Sequence, residues 1–353
     1  MKIANLVVGG GIAGLWTAVK AYRSGLEVAV VTPELGGGQS LLSQGIIHGG
    51  TKYALSGKLT GASEAIKAMP QRWLDALNGK GDVDLSAAKL TSSHQYMIHD
   101  RSLSGSVAQF LASKSLRGRV DRVSPPKFLD SDRRVFQLSE PVIDTVSVLN
   151  ALAAQVPMIH GRYEPSGCID GQPIEADRII LAAGEGNESL MPTGVSMQRR
   201  PLQMLVGQGP LPALWAHLIG GSTKPLATIT THQGLWYVGG QIAEEGAEQA
   251  GQEFLVAAPE RLQKLLPEIE FSSVTWSSVR VNRAEPAQAM GNRPDSAYVD
   301  FTGDVATVWP TKLALAPAAA DAIVPWMSNE KYGQLATEWT IPPLAQTPWA
   351  NDE

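Results

Sequence analysis

Several features that mark particular protein classes are scarce or missing in this sequence. Among 353 residues there is one cysteine, Cys168, which rules out an internal disulfide framework and which we interpret as structural. Lysine and arginine total 29 against 34 acidic residues, with no basic run. No apolar run is long enough to cross a bilayer. We therefore expect a cytoplasmic globular protein with no nucleic-acid partner and no integral membrane segment.

Two kinds of chemistry also lack support in the sequence. Cysteine and histidine residues do not cluster at the short spacings typical of metal sites, so we predict no metal. The G-x-S-x-G segment that carries the nucleophile of many hydrolases is absent. Hydrolytic and metal-dependent functions are therefore disfavoured.

What is present, near the start of the chain, is a β-α-β pattern. The apolar, β-branched run 3–8 predicts a buried strand. Apolar residues at helical spacing follow over 12–25, where Gly25 is a suitable C-terminal stop. The run 26–34 predicts a second strand, so the glycine-rich turn in LVVGGGIAGLWTA lies between a strand and a helix.

That turn fits G-x-G-x-x-G through Gly9, Gly11 and Gly14. The first glycine permits a tight turn, the second lets a pyrophosphate approach the backbone, and the third lets the helix pack on the strand. The N–H groups of the helix N-terminus favour phosphate. The pattern predicts dinucleotide binding, and the alternative is a turn that only packs the helix. At the ribose position the usual acidic residue is replaced by Thr32, with Glu34 two residues later.

The remaining chain predicts an α/β fold made of two discontinuous domains. Alternating apolar and polar residues dominate 198–278, which indicates antiparallel sheet. The C-terminal part returns to a strand, a tight turn and a helix. We assign 1–80, 140–197 and 280–353 to a Rossmann-like cofactor domain, and 81–139 and 198–279 to a mostly antiparallel-sheet substrate domain. Their interface is the expected place for a ligand.

Four segments in this order, VVGGGIAGLWTA, SQGIIHGGTKY, RIILAAGEGN and PTKLALAP, carry a family resemblance. Together they resemble the FAD-dependent oxidoreductases of the D-amino-acid oxidase and glycine oxidase superfamily. SQGIIHGGTKY is most similar to the L-2-hydroxyglutarate and glycerol-3-phosphate dehydrogenase branches. The resemblance implies FAD as the cofactor and makes the first domain the FAD-binding domain.

The resemblance also implies roles for particular residues. The loop 39–45 would follow the flavin and its phosphate side through Ser40, Ser43, Gln44 and Gly45. Ala183 and Gly184 would close against the nucleotide half of FAD. Lys312 and Leu313 would lie in the C-terminal flavin loop, where the charge of Lys312 would stabilise the reduced ring. The arginine that often binds a substrate carboxylate is missing from 308–310. Either a plain amino-acid oxidase is therefore disfavoured, or that role lies elsewhere, for instance at Arg199, Arg200 or Lys52.

His48 is the residue that we predict to take part in the reaction. A histidine near its own pKa suits removal of the hydroxyl or amine proton while hydride moves to flavin. Two alternatives are a histidine that only orders its loop and a histidine that carries covalent flavin. Lys52, Tyr53, Arg200 and His232 are the predicted substrate-binding residues.

These observations predict an FAD-dependent oxidase or dehydrogenase that moves a hydride from a small hydroxy acid or amine to flavin N5. Oxygen or a quinone would be the electron acceptor. A nicotinamide-dependent dehydrogenase is one alternative, although the later segments have no role in it. A non-catalytic FAD-binding protein is another, because an acidic residue at position 32 and the arginine are missing.

Overall fold

A computed structural model describes residues 1–49, 66–99, 120–220, 224–288, 294 and 296–349 of the chain. Lys52 and Tyr53 lie outside the described residues. The helices are α1 (Ile12–Arg23), α2 (Met69–Leu77), α3 (Thr145–Ala153), α4 (Gln241–Gly246), α5 (Gly251–Leu265) and α6 (Ala316–Ile323). Short 3-10 segments cover Gly184–Ser189, Leu313–Leu315 and Val324–Trp326. No helix in these ranges is long and apolar enough to cross a membrane.

The predicted β-α-β unit is the centre of a six-stranded sheet. Its strands, in spatial order, are β17 (Tyr298–Thr302), β18 (Val305–Trp309), β11 (Glu175–Leu181), β1 (Lys2–Gly10), β2 (Val28–Leu35) and β8 (Met158–His160). All neighbours are parallel except β17 and β18. As predicted, α1 ends just before Gly25, whose φ of +85° places it in the left-handed region that favours glycine.

A second sheet of eight strands confirms the antiparallel pattern expected in the later part of the chain. Its spatial order is β16 (Thr275–Pro286), β12 (Met197–Gln208), β15 (Leu235–Gly239), β14 (Pro225–His232), β13 (Ala216–Ile219), β4 (Gln95–His99), β6 (Val135–Leu138) and β5 (Val120–Val123). Only β13 and β4 are parallel. Two small pairs complete the set: β3 (Leu90–Ser92) with β7 (Val142–Ile143), and β9 (Cys168–Ile169) with β10 (Gln172–Pro173).

Each large sheet has its own hydrophobic core. Helices α1, α3 and α6 bury apolar faces with the six-stranded sheet, and Trp16 and Trp73 pack there with ring centroids 4.6 Å apart. Helix α5 buries Phe254 and Leu262 in the core of the eight-stranded sheet. Each such side chain contributes roughly 1.5–3 kcal/mol by burial. The division into two domains stays a prediction, and Val83 and Leu85, assigned to the substrate domain, pack in the core of the six-stranded sheet. Strand β16 continues to Pro286, so we move the proposed boundary from 280 to after that residue.

The loop 36–48, which follows β2, fastens the two sheets together. Gln44 donates from Nε2 to the carbonyl oxygens of Thr228 and Tyr237, each at 2.9 Å. The Tyr237 hydroxyl donates back to the Leu42 carbonyl at 2.9 Å. These bonds hold the segment that carries the predicted flavin contacts against the eight-stranded sheet.

Candidate functional site

A cavity of about 920 Å³ is lined by residues from both sheets and from loop 36–48. This volume is in the range of small-molecule and cofactor sites. Most of the predicted site residues line it: Gly9, Gly11, Thr32, Ser40, Ser43, Gln44, Gly45, His48, Ala183, Gly184, Arg200, Lys312 and Leu313. The fold therefore brings together residues from six separate stretches of the sequence.

The glycine turn, residues 9–14, needs its glycines for packing as well as for access. A Cβ on Gly14 would lie 2.1 Å from the Gly9 carbonyl oxygen, so only a glycine lets α1 approach β1 this closely. A Cβ on Gly9 would lie 2.6 Å from the Ala182 carbonyl oxygen, and its φ of +117° also favours glycine. Gly14 is behind the cavity wall, whereas Gly9 and Gly11 are part of it.

The N-terminus of α1 faces this cavity and suits an anion. Gly11, Ile12 and Ala13 line the wall, and the first turn of α1 has no acidic residue. The N–H of Ile12 donates to the Ser40 hydroxyl at 3.0 Å. The positive end of the helix dipole and a wall without side chains at Gly9 and Gly11 fit the pyrophosphate of FAD.

Thr32 and Glu34 line the neighbouring part of the wall. The Thr32 hydroxyl donates to the Glu34 carbonyl at 2.6 Å, so Thr32 can offer a ribose hydroxyl only an acceptor oxygen. The exposed carboxylate of Glu34 lies along the same wall and can also accept. Both residues stay predicted ribose contacts, with Glu34 the stronger acceptor because it is charged.

The loop residues predicted to contact flavin also make hydrogen bonds and close backbone contacts within the protein. Gln44 joins the two sheets, as described above. Gly45 has a φ of +70°, and a Cβ there would lie 2.3 Å from the Ile143 carbonyl oxygen. Ser43 donates from its hydroxyl to the Ser40 carbonyl at 2.9 Å. These bonds shape the loop, and the predicted flavin contacts of the same residues stay predictions.

The wall around Lys312 is built by β18 and the chain that follows it. Trp309 stands in the stretch where the arginine was sought, and its Nε1 donates to the Gly184 carbonyl at 3.0 Å. The Ala183 N–H donates to the buried side chain of Asn187 at 2.9 Å. Lys312 is only 8% exposed and lines the cavity, as does Leu313. A buried ammonium here is suited to an anionic partner.

His48 belongs to a group of three side chains that we call the His48 cluster: His48, Glu140 and His217. Glu140, in the turn between β6 and β7, lies with Oε2 at 3.3 Å from His48 Nδ1. Its other oxygen accepts the Gly49 N–H at 2.9 Å. His217, on β13, stacks on His48 with ring centroids 5.9 Å apart and planes 21° apart. The His48 side chain is 28% exposed and lines the cavity.

The buried carboxylate of this cluster is ionised at neutral pH. Burial by itself would raise the pKa of Glu140, but the hydrogen bond and charge of His48 outweigh it. With smaller contributions from His217 and the Gly49 N–H, the pKa of Glu140 falls to about 2. His217 is anchored in turn, since its Nδ1 lies 3.0 Å from the Thr228 hydroxyl.

The ligand atoms of these three residues all lie within 4.8 Å of one another. Within the described ranges, this is the one group of histidines and acids close enough to meet on a metal ion. The sequence spacing did not indicate it, because the three residues are far apart along the chain. One oxygen of Glu140 faces His48 Nδ1 and the other accepts the Gly49 N–H, and we interpret the group as a hydrogen-bonded cluster.

A second charged group, the cationic wall, consists of Arg200, Arg283 and Lys224. Arg200 and Arg283 are register partners on β12 and β16, and all three residues line the cavity. Glu244 lies 3.8–4.0 Å from each of the three cations. Glu285, which is 1% exposed, lies 3.4 Å from Arg200. Counted over the described residues, three cations and two carboxylates give this wall one positive charge in excess.

The other predicted substrate residues are placed elsewhere. Arg199 points to the opposite face of β12, where it binds Glu185 and Glu188, and it does not line the cavity. His232 is buried behind the wall, stacked on Trp349 with ring centroids 4.3 Å apart. Burial lowers the pKa of His232 to about 4, so it is neutral at pH 7. The cavity does not include it, and it leaves the proposed substrate set.

Four residues of the His48 cluster and the cationic wall were not found from the sequence: Glu140, His217, Lys224 and Arg283. Glu140 follows a short strand with no motif around it, and His217 is one polar residue within an apolar strand. Only Arg283 had a local signal. It lies on β16, where alternation places it on the same face as Val281 and Glu285.

Comparisons with known proteins agree with this geometry. The family model described as DAO, FAD dependent oxidoreductase, matches residues 6–304. The chain is 41% identical to the probable FAD-dependent oxidoreductase PA4991 of Pseudomonas aeruginosa, over 98% of this chain and 96% of that protein. The crystal structure of PA4991 superposes with a TM-score of 0.82 at 35% identity, covering 99% of this chain and 98% of that one.

More distant structures share the fold. Glycine oxidase of Geobacillus kaustophilus superposes with a TM-score of 0.67 at 13% identity, over 96% of this chain and all of that one. L-alpha-glycerophosphate oxidase of Mycoplasma pneumoniae, solved with FAD bound, has a TM-score of 0.64 at 15% identity, over 99% and 100%. The glycine turn, the cavity and these matches agree with FAD rather than a nicotinamide cofactor. The chain belongs to the DAO family of FAD-dependent oxidoreductases.

Proposed function

We propose that this enzyme oxidises a small hydroxy acid or amine that carries a carboxylate. FAD, when bound, supplies a two-electron acceptor at flavin N5. The observation that carries the proposal is the presence of two complementary groups in one cavity. One is a histidine held by a buried carboxylate, and the other is a net positive wall of Arg200, Arg283 and Lys224.

The roles of the residues follow from the bonds that change. The substrate C–H bond breaks, and its hydrogen leaves with both bonding electrons as a hydride, for which bound FAD would be the acceptor. The hydroxyl or amine proton leaves for His48, and the carbon becomes a carbonyl or an imine. Arginine on the cationic wall binds the substrate carboxylate, because its planar guanidinium pairs with both oxygens. With FAD bound, the ammonium group of Lys312 would stabilise negative charge on the flavin ring.

The electron acceptor in the second half of the cycle is oxygen or a quinone. Reoxidation of reduced enzyme in air-saturated buffer separates the two. A rate that matches turnover identifies an oxidase, and a slow rate that a soluble quinone accelerates identifies a dehydrogenase.

The test is anaerobic reduction of the bound flavin by matched compounds. We expect 2-hydroxy acids or amino acids to bleach the flavin absorption. The corresponding alcohols, amines and methyl esters, which lack the free carboxylate, should need much higher concentrations. Equal reduction by an acid and its ester would contradict the role of the cationic wall. No reduction by any hydroxy acid or amine would contradict the proposed substrate class.

A further inference from the structure

We propose that Glu140 is a positioning residue that fixes the tautomer of His48 and so makes Nε2 the nitrogen that receives the substrate proton. The inference rests on the proposed function of His48 and adds a residue to it. Glu140 is 2% exposed and does not line the cavity, so it acts through the histidine rather than on the substrate.

The geometry supports control of both the ring's orientation and its protonation. One carboxylate oxygen of Glu140 lies 3.3 Å from His48 Nδ1, and the other accepts the N–H of the next residue, Gly49, at 2.9 Å. The carboxylate therefore bridges the ring and the backbone of the same turn. An ionised carboxylate only accepts hydrogen bonds, so in neutral His48 the proton is on Nδ1 and the lone pair on Nε2.

His217 completes the arrangement by covering one face of the ring. It is 2% exposed, its ring is nearly parallel to that of His48, and its Nδ1 lies 3.0 Å from the Thr228 hydroxyl. Glu140 follows β6 and His217 lies on β13, both in the eight-stranded sheet. The sheet that carries the cationic wall therefore also orients the histidine of loop 36–48.

Glu140→Gln is the most informative variant because it preserves the shape of the side chain and replaces one acceptor oxygen with a donor NH₂ group. The Gly49 N–H needs an acceptor, so the amide oxygen of the new side chain stays on Gly49. Its NH₂ group then faces His48 Nδ1 and donates to it. The tautomer of His48 should therefore invert, with the proton on Nε2, where it prevents the nitrogen from accepting a proton.

The measurement is ¹⁵N NMR of histidine side chains in the oxidised holoenzyme, with the His48 signals assigned from their loss in His48→Asn. We expect protonated Nδ1 in the unchanged enzyme and protonated Nε2 in Glu140→Gln. Anaerobic flavin reduction should slow by roughly 10²–10⁴-fold, the scale of lost general-base catalysis. The double variant His48→Asn, Glu140→Gln should be no slower than His48→Asn alone, because both changes remove one function.

Glu268→Gln is the matched control. Glu268 is also a buried glutamate of the substrate domain, paired with Arg133 at 2.6 Å, and it does not line the cavity. We expect a loss of thermal stability with an unchanged His48 tautomer and an unchanged reduction rate. This control separates loss of a buried charge from loss of histidine positioning.

Two results would overturn the inference. One is a His48 tautomer that stays the same in Glu140→Gln, and the other is a stoichiometric metal that the variant loses. Failure of the proposed function is recognised separately. The flavin of His48→Asn would then be reduced at the unchanged rate. The NMR result would still report whether Glu140 sets the tautomer.

Discussion

The glycine turn and the His48 cluster line the same cavity, yet they are built from different kinds of group. The glycine turn works through backbone, helix dipole and missing side chains, within six consecutive residues. The His48 cluster works through three side chains, and its hydrogen-bonded pair, His48 and Glu140, is 92 residues apart in sequence. A local backbone site can be predicted from a short segment of sequence, whereas a side-chain cluster depends on how distant strands pack together.

The difference also separates binding from chemistry. The glycine turn is predicted to bind phosphate, a group common to many cofactors, and its close packing tolerates little change. In the proposed function the His48 cluster and the cationic wall act on the reacting part of the substrate, where single charges and protons decide the outcome. Damage to the first region should remove the cofactor, while damage to the second should leave a coloured but slow enzyme.

Gly14→Ala should give the largest effect. The new Cβ would lie 2.1 Å from the Gly9 carbonyl oxygen, so α1 must move away from β1. We expect a loss of about 3 kcal/mol or more of unfolding free energy and purification largely without FAD. Thermal denaturation and the ratio of absorbance at the flavin band to that of protein provide the measurements.

Gly251→Ala is the control for that prediction. Gly251 is the first residue of α5, and a Cβ there would have no neighbour within 4 Å. We expect normal FAD content and a stability that is unchanged or higher by up to about 1 kcal/mol. Full flavin occupancy in Gly14→Ala would show that the turn is not needed for the cofactor.

His48→Asn should leave FAD bound and slow its reduction. Removing the proton acceptor is expected to cost roughly 10²–10⁴-fold in the anaerobic reduction rate at saturating substrate. His94→Asn serves as the control, since His94 is half-buried on the edge of Tyr96 and does not line the cavity. An equal slowing in both variants would point to a general loss of structure.

Acid precipitation of the unchanged enzyme adds a check on the same residue. We expect the yellow colour in the supernatant, because the proposed role of His48 requires Nε2 to accept a proton, and a covalent bond to flavin would occupy that nitrogen. Colour that stays in the pellet, and moves to the supernatant in His48→Asn, would instead favour covalent flavin on this histidine.

Arg283→Met should act on substrate binding rather than on the chemical step. Loss of a charged hydrogen bond to a carboxylate is expected to raise KM by roughly 10–100-fold, with a smaller change in kcat. Arg280→Met is the control on the same strand, because Arg280 is exposed and donates to the Ala247 carbonyl. Similar KM values for both variants would exclude Arg283 from the cationic wall's function.

Ser40→Ala should give the smallest effect. The Ile12 N–H would lose its acceptor at 3.0 Å, which we expect to cost about 0.5–2 kcal/mol in the apoprotein. Bound FAD should reduce that loss, since phosphate oxygens also accept from helix N–H groups. Paired melting curves with and without FAD measure it, with the exposed Ser166→Ala as control. An equal loss in both forms would mean that Ser40 only shapes the loop.

Much of the fold was predictable because its signals are local. The β-branched run, the glycine turn and the stop at Gly25 each depend on neighbours within a few residues, and the structure has β1, α1 and β2 in that order. The antiparallel sheet was expected from alternation. The boundary at 280 was less well placed, since alternation continues along β16 to Pro286 and composition does not change there.

The candidate site divides along the same line. His48 and Arg200 were proposed from local composition and resemblance, and both line the cavity. His232 has the same residue type as His48, but Trp349 and the strand cover it. Arg199 and Arg200 are neighbours, and the two-residue period of β12 turns them to opposite faces. Composition cannot distinguish such pairs.

The sequence by itself determined the cofactor class and the β-α-β unit, and it predicted the place of the phosphate, because short segments encode the backbone geometry on which these depend. Only the tertiary structure decided which histidine meets a carboxylate and which arginines face the cavity. Glu140 reaches His48 because β6 and loop 36–48 converge, and that convergence is set by packing of two cores. Long-range packing has no local signature, so the chemistry of this cavity became visible only once the chain was folded.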